Sequence, residues 1–491
     1  MTRRTLIQTV AAQFPALGAA APPQRFVGVT VMPEFIQTEG VGGVLDNLVR
    51  RVGVTAVTTA PNVIALADEK TGSREPPIDA GAGKVRLLDR PLWGKRELFV
   101  RSAPAFVPDV RLYQGLRYQP PPATDLTRKQ GRVIQDFIRG AHDRGLKVYF
   151  QLQAASPPSY RVQFGGPVED DRPQLPDGRI PPRRVANNGS LASDDIRRYV
   201  HALIRDLFRA YPDLDGLRVD WPEYPPYFLD DLFLDFSAPA QRAAERLEIP
   251  FERMRKDALC LYKLLHGGLK PRHLAAWGEP DGGRNFLLSA LINYPGFLDL
   301  LRFKALLVSE LLSGFRQALT EAAGKAKELV PNAFPPPWNL VSGFDYQRAA
   351  PSSSGISVKL YTMHWPMMLR FYGDTLAQAN FAISESLLVS ALVRLLDIAD
   401  DAGRPHLSDY RYPEPDEPHP VGLKAQSRKI RQAREEAGAT PVFALAHGYG
   451  PAVDFRRRLE VAWTASGGRV WINRYGYLSD EKLDVIKTVC R

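Results

Sequence analysis

The sequence predicts an α/β fold, a (β/α)8 TIM barrel with long insertions in the connections on its C-terminal face. Three observations lead there. Short β-branched or apolar runs alternate with helical patterns along the chain, there are eight such runs, and each ends in polar or aromatic residues before the next helix begins. A parallel sheet with crossover helices requires this alternation, and eight strand–helix pairs are enough to close it.

The candidate strands span residues 25–34, 55–61, 146–153, 215–221, 328–334, 357–365, 440–448 and 468–476. Between them, residues 41–53, 129–145, 193–211, 303–324 and 382–400 carry apolar side chains at three-and-four spacing, as amphipathic helices do. Ser193 ahead of Asp194 and Asp195 has the form of an N-cap followed by an acidic first turn. A last helix at 480–490 would seal the final strand. The remaining length falls near 62–120, 154–190 and 401–436, which are rich in glycine, proline and polar residues. Within the first, KVRLLDR and ELFVRS have the look of hairpin strands. Long connections after barrel strands lie on the side where ligands bind, so these three are expected to shape a cleft.

Composition excludes more than it assigns. Of 491 residues 44% are hydrophobic, enough for one large barrel, here placed at 22–491 as a single domain. Lys and Arg outnumber Asp and Glu by 64 to 54, but no basic block dominates, so nucleic acid is not an expected partner. Residues 1–21 hold Arg3 and Arg4, a mildly apolar stretch from Leu6 to Leu17, and Ala19, Ala20 and Ala21. This segment resembles a twin-arginine export signal, too short and too weakly apolar for a membrane span, and it implies a periplasmic or secreted protein. Cys260 and Cys490 are the two cysteines; whether they pair is not legible, nor is the oligomeric state. There is no HExxH, no histidine pair at ligand spacing, and no glycine-rich phosphate loop after the first strand, so neither a metal nor a cofactor is expected.

In a barrel, inward residues at the strand ends converge on one site. Here they include Glu34, Thr59, Asn62, Gln151, Gln153, Asp220, Trp221, Glu223, Asn332, Tyr361, His364, Trp365, His447, Tyr449, Asn473, Arg474 and Tyr475. Aromatic faces stack on a sugar ring, while amide, imidazole and guanidinium groups meet its hydroxyls, so a carbohydrate is the expected partner. Cleaving a glycosidic bond needs two carboxylates, one to protonate the leaving oxygen and one to attack the anomeric carbon or activate water.

DGLRVDWPEY (215–224) offers such a pair. Asp220 ends the strand, with Arg218 two residues earlier on the same face, where its charge would favour the carboxylate form. Glu223, among Trp221, Tyr224 and Tyr227, is the expected acid. Glu34 and Asp345 compete for that second role, although Asp345 can equally lie in the first turn of a helix, where the helix dipole stabilises its charge. The alternative is that Arg218 and Asp220 form a buried pair and Glu223 lies solvated on a loop.

Residues 190–225, SLASDDIRRYVHALIRDLFRAYPDLDGLRVDWPEYP, resemble a segment of the bacterial glycosyl-hydrolase-like barrel proteins. There a helix, an Asp-Gly step and a strand lead to Asp-aromatic-x-x-Tyr-Pro, matched here by Asp215, Gly216, Asp220, Trp221, Tyr224 and Pro225. NAFPPPWNLVSGFDYQRAAP, VKLYTMHWP and GGRVWINRYGYLSDEKLDVI are similar to later strands of that group, so the resemblance spans most of 25–490. Glu223 stands where the group often has a basic residue. GLRVD also resembles the fourth-strand motif of the alpha-amylase family, whose aspartate is the nucleophile and whose arginine supports it. The other amylase motifs are missing, so this supports a role for Asp220 and not membership. The resemblance implies an exported glycoside hydrolase; the alternatives are a carbohydrate-binding barrel without catalysis, or another sugar-modifying hydrolase or lyase.

Overall fold

All eight apolar runs form strands, and each pairs in parallel with its neighbours. The computed structural model describes residues 25–75, 98–275 and 283–491. In chain order the strands are β1 (Phe26–Thr30), β2 (Ala56–Thr59), β3 (Asn62–Ala67), β4 (Ser73–Glu75), β5 (Leu98–Pro104), β6 (Lys147–Gln153), β7 (Gly216–Asp220), β8 (Glu328–Ala333), β9 (Ile356–Leu360), β10 (Val442–His447) and β11 (Arg469–Asn473). β1, β2 and β6–β11 close a barrel in which β1 pairs with both β2 and β11. β3, β4 and β5 form a small antiparallel sheet with β5 in the middle. LFVRS (98–102) thus falls in β5, while KVRLLDR and the export segment 1–21 lie outside the described residues.

Polarity changes along the barrel axis. Alternate residues of each strand point inward, and the lower layer is apolar: Ala56, Tyr149, Val330, Phe443, Leu445 and Trp471 pack together. Gly28 makes room for Trp471, because a Cβ there would lie 2.2 Å from the indole. One layer higher the inward residues turn polar, with Arg218 bonded to Asn332 and Thr30. Above them, at the strand ends, stand Gln153, Asp220, Lys359 and His447. The larger core lies between strands and helices.

The helices follow the expected order, with Ser193 Oγ accepting from the Ile196 amide at the start of Asp194–Ala210. Some strands end earlier than expected: the one expected at 25–34 stops at Thr30, with a helix beginning at Pro33, and the one expected at 468–476 stops at Asn473. The strand expected at 357–365 stops at Leu360, and a helix, His364–Ala379, begins four residues later. Among the described residues no single helix is long and apolar enough to cross a membrane. Cys260 is exposed and Cys490 buried, and they are not bonded to each other.

Candidate functional site

At the C-terminal rim the barrel opens into a cleft whose floor is Asp220. This carboxylate is 7% exposed. Its Oδ1 lies 2.7 Å from Lys359 Nζ and accepts the Trp221 amide at 3.1 Å, while Oδ2 accepts from Gln151 Nε2 at 3.4 Å. Trp221 follows directly with φ of +50°, a left-handed conformation costly for a bulky residue. That turn ends the strand abruptly and lays the indole along the cleft wall.

The ends of seven of the eight barrel strands, all but β8, and two insertions supply the wall. β6 brings Gln151 and Gln153, and the connection after it brings Tyr160 and Arg161, the latter held by both oxygens of buried Glu34. From the β9 end come Tyr361, whose hydroxyl accepts from Asn473, and His364, whose Nδ1 lies 3.0 Å from the Tyr227 hydroxyl. β10 ends at His447, whose Nδ1 accepts the Tyr449 amide at 3.2 Å. That bond places the ring proton on Nε2, and burial with nearby Arg474 and His364 pushes the imidazole well below its usual pKa. Buried Arg458 fixes this corner by donating to the carbonyls of His447 and Tyr449. β11 adds Asn473 and Arg474, whose guanidinium lies over the Tyr477 ring, and the 401–436 insertion adds Tyr412. Thr59 Oγ1, Gln153 Oε1, Tyr160 Oη and Trp221 Nε1 are buried at this cleft with no hydrogen-bond partner among the described residues. Buried polar groups are rarely left so, and a ligand with hydroxyls would satisfy them.

Of the residues expected there, Thr59, Gln151, Gln153, Asp220, Trp221, Tyr361, His364, His447, Asn473 and Arg474 line the cleft, while Glu34, Asn62, Arg218, Glu223, Asn332, Trp365, Tyr449 and Tyr475 do not. Glu223 is neither solvated nor at the cleft: it is fully buried behind Trp221, bonded to the Phe334 amide at 2.9 Å and to Ser342 Oγ at 2.5 Å. Arg218 and Asn332 bond each other at 2.8 Å beneath the floor, so the cation touching Asp220 is Lys359 and not Arg218. Trp365 sits in the first turn of a helix rather than at a strand end, and its ring turns away to pack 5.6 Å from Trp338, beside Lys429. Tyr449 lies one layer back, its hydroxyl donating to Pro413 O and its ring 5.3 Å from Tyr412.

The competing carboxylates are also engaged elsewhere. Glu34 holds Arg161, and Asp345 caps the helix Tyr346–Ala349 by accepting from the Arg348 amide. Among the described residues lining the cleft, Asp220 is therefore the sole carboxylate. No group of three or more His, Cys, Asp or Glu among the described residues is placed to hold a metal ion. Lys359 was overlooked in the sequence although a signal was present: a lysine within the apolar run SVKL, two residues before Tyr361 and so on the same strand face. Arg161, Tyr227 and Tyr412 sit on loops and carry no such periodic mark.

No protein-family model matches the chain, and no curated protein sequence matches it. Among solved structures the chain is similar to the catalytic domain of beta-amylase from Paenibacillus polymyxa, with 11% identity over 96% of this chain and 98% of that one and a TM-score of 0.49. It is also similar to the Ostrinia furnacalis Group IV chitinase, with 9% identity over 95% and 100% of the two chains and a TM-score of 0.39. The beta-galactosidase from Marinomonas ef1 matches at 12% identity over 92% and 67%, with a TM-score of 0.36.

Proposed function

We propose that the rim cleft binds a poly- or oligosaccharide and hydrolyses a glycosidic bond, with Asp220 as the carboxylate at the anomeric carbon. One observation carries this reading: Asp220 is the sole carboxylate among the described cleft residues, and it is set on Lys359 and Gln151 amid aromatic rings and unpartnered polar atoms. Trp221, Tyr361 and Tyr412 offer faces for the sugar ring, and Gln153, Thr59 and Tyr160 meet its hydroxyls.

Asp220 either attacks the anomeric carbon or takes a proton from the attacking water. The leaving oxygen also needs a proton. With Glu223 withdrawn from the cleft, that role passes to His364, whose Nδ1 lies against the Tyr227 hydroxyl and whose second ring nitrogen would deliver the proton. An exported chain, as residues 1–21 suggest, would meet its glycan in the periplasm or outside the cell.

The same sole carboxylate also favours a second reading, sugar binding without cleavage, because the two-carboxylate pair is not assembled at the cleft. A panel of oligosaccharides separates the two. Wild type should release reducing ends from at least one glycan, and Asp220→Asn should lower kcat by about a thousandfold or more while still binding it. Binding with no release by wild type selects the second reading. Equal turnover by wild type and Asp220→Asn removes Asp220 from the chemistry.

A further inference from the structure

Contacts between neighbouring connections run around the whole mouth of the cleft. The helix after β1 (Pro33–Glu39) is tied on one side to the connection after β6, where Arg161 donates to Glu34 at 2.9 Å. On the other side it is tied to the β11 end, where the Tyr475 hydroxyl donates to Glu39 at 2.9 Å. The connection after β6 reaches the loop after β7 through the Leu191 amide, which donates to the Tyr224 hydroxyl. That loop crosses over β8 to the β9 end, with the Tyr227 hydroxyl 3.0 Å from His364 Nδ1. Aromatic rings complete the circuit: His364 lies 5.7 Å from Tyr412, Tyr412 lies 5.3 Å from Tyr449 after β10, and Tyr449 lies 5.7 Å from Tyr477 after β11.

Among the described residues, then, the wall returns to its start, whereas a groove that takes a chain by its middle is open at two opposite ends. Exposure has the gradient of a pit. Thr30, Thr59 and Asp220 at the floor are buried, while Met32, Gln163, Tyr412 and Arg474 are half-buried. The enclosed space is about 120 Å³. That suits one six-membered ring, since a protein cavity of about 150 Å³ takes one benzene.

We infer that the cleft admits a single sugar, the non-reducing end of a chain, and that cleavage there is exo-acting. The inference rests on the reading of the cleft as a sugar site and names the part of the chain it accepts. Attack from Asp220 at the floor reaches one face of the anomeric carbon, so the leaving oxygen on the opposite face points to the mouth, where the rest of the chain lies. The other hydroxyls of the bound sugar face the closed wall, which has no room for a further residue. Hydrolysis breaks the bond from the anomeric carbon to the bridging oxygen; water gives its hydroxyl to the carbon and a proton to the oxygen. Each turnover releases one monosaccharide.

Paired ligands test this on the whole wild-type protein: short gluco-, galacto- and chito-oligosaccharides tagged at the reducing end, and the same oligomers capped at the non-reducing end by a benzylidene acetal. A monosaccharide should be the first product, with the tag left on a chain one residue shorter. The cap should weaken binding in calorimetry, and slow turnover, by about a hundredfold or more, because it meets the closed wall. Where nothing is cleaved, the affinity comparison alone decides. Tagged fragments of several lengths appearing together from the start, or a capped oligomer bound as tightly as its free partner, would overturn the inference and leave the sugar site standing. If no sugar of any kind binds, both fall.

Discussion

Glu223 shows how one buried side chain can look catalytic and be structural. Its Oε1 accepts the Phe334 amide and its Oε2 meets Ser342 Oγ, which is itself 3.0 Å from the Asn339 carbonyl. A serine has a single proton, and the carbonyl can only accept it, so the network closes best when Glu223 is protonated and donates to Ser342. Burial drives the pKa in the same direction, up to about 7, against the opposing pull of Lys359, Ser342 and the Phe334 amide. At pH below the ordinary value of 4.5 the acid is protonated both folded and unfolded, and its contribution to stability is intact. Between there and about 7 the unfolded chain sheds the proton first, so stability falls with rising pH and levels off above it. The loss should reach on the order of 3 kcal/mol. Glutamine mimics the protonated acid: Glu223→Gln should remove this slope in urea unfolding followed from pH 4 to 8, and it should retain turnover. A large fall in kcat in Glu223→Gln would restore Glu223 to the chemistry.

At the scale of elements, the strand-to-loop turn after β7 is where backbone strain and site coincide. Trp221 at φ +50° costs on the order of 1 kcal/mol over an unstrained residue. Neighbouring groups hold it there: its amide is tied to Asp220, and the loop beyond is pinned by Asn188 donating to the Glu223 carbonyl and by the Tyr224 amide donating to Ser342 O. Both Trp221→Ala and Trp221→Gly remove the indole and should weaken ligand binding alike. Thermal unfolding should separate them, with the glycine variant more stable by about 1 kcal/mol because glycine adopts positive φ without a Cβ penalty. Equal stability would mean that the left-handed turn stores no strain. The β9 end teaches the converse lesson. VKLYTMHW keeps an apolar and aromatic pattern through Trp365, but the chain turns into a helix at His364, and a change of period from two to 3.6 moves each later side chain to a different face. His364 still reaches the cleft; Trp365 goes to the helix layer.

For the whole molecule, the barrel rather than covalent linkage carries stability. Cys490 is buried, its thiol pushed up to about 12 by desolvation, while Cys260 is exposed. Native thiol titration should therefore report one reactive cysteine, with the second appearing only on unfolding, and a reductant should leave Tm unchanged. A drop in Tm on reduction, or two masked thiols in the native protein, would contradict this arrangement. The formal charge of +10 is spread over many paired surface groups, such as Arg246 with Glu310 and Arg253 with Asp299.

The eight strands, their parallel closure and Asp220 at the end of the fourth were legible in the linear chain, because period-two burial and a polar residue ending an apolar run are local signals. Which carboxylates share the cleft was not. Glu34, Glu223 and Asp345 are each drawn off by a partner distant in sequence or by a local cap: Arg161, Ser342 with the Phe334 amide, and the Arg348 amide. Lys359 reaches Asp220 across 139 positions only when β7, β8 and β9 lie side by side. Hydrogen-bond partners and desolvation belong to the closed barrel, so the chemistry of each acid was decided there.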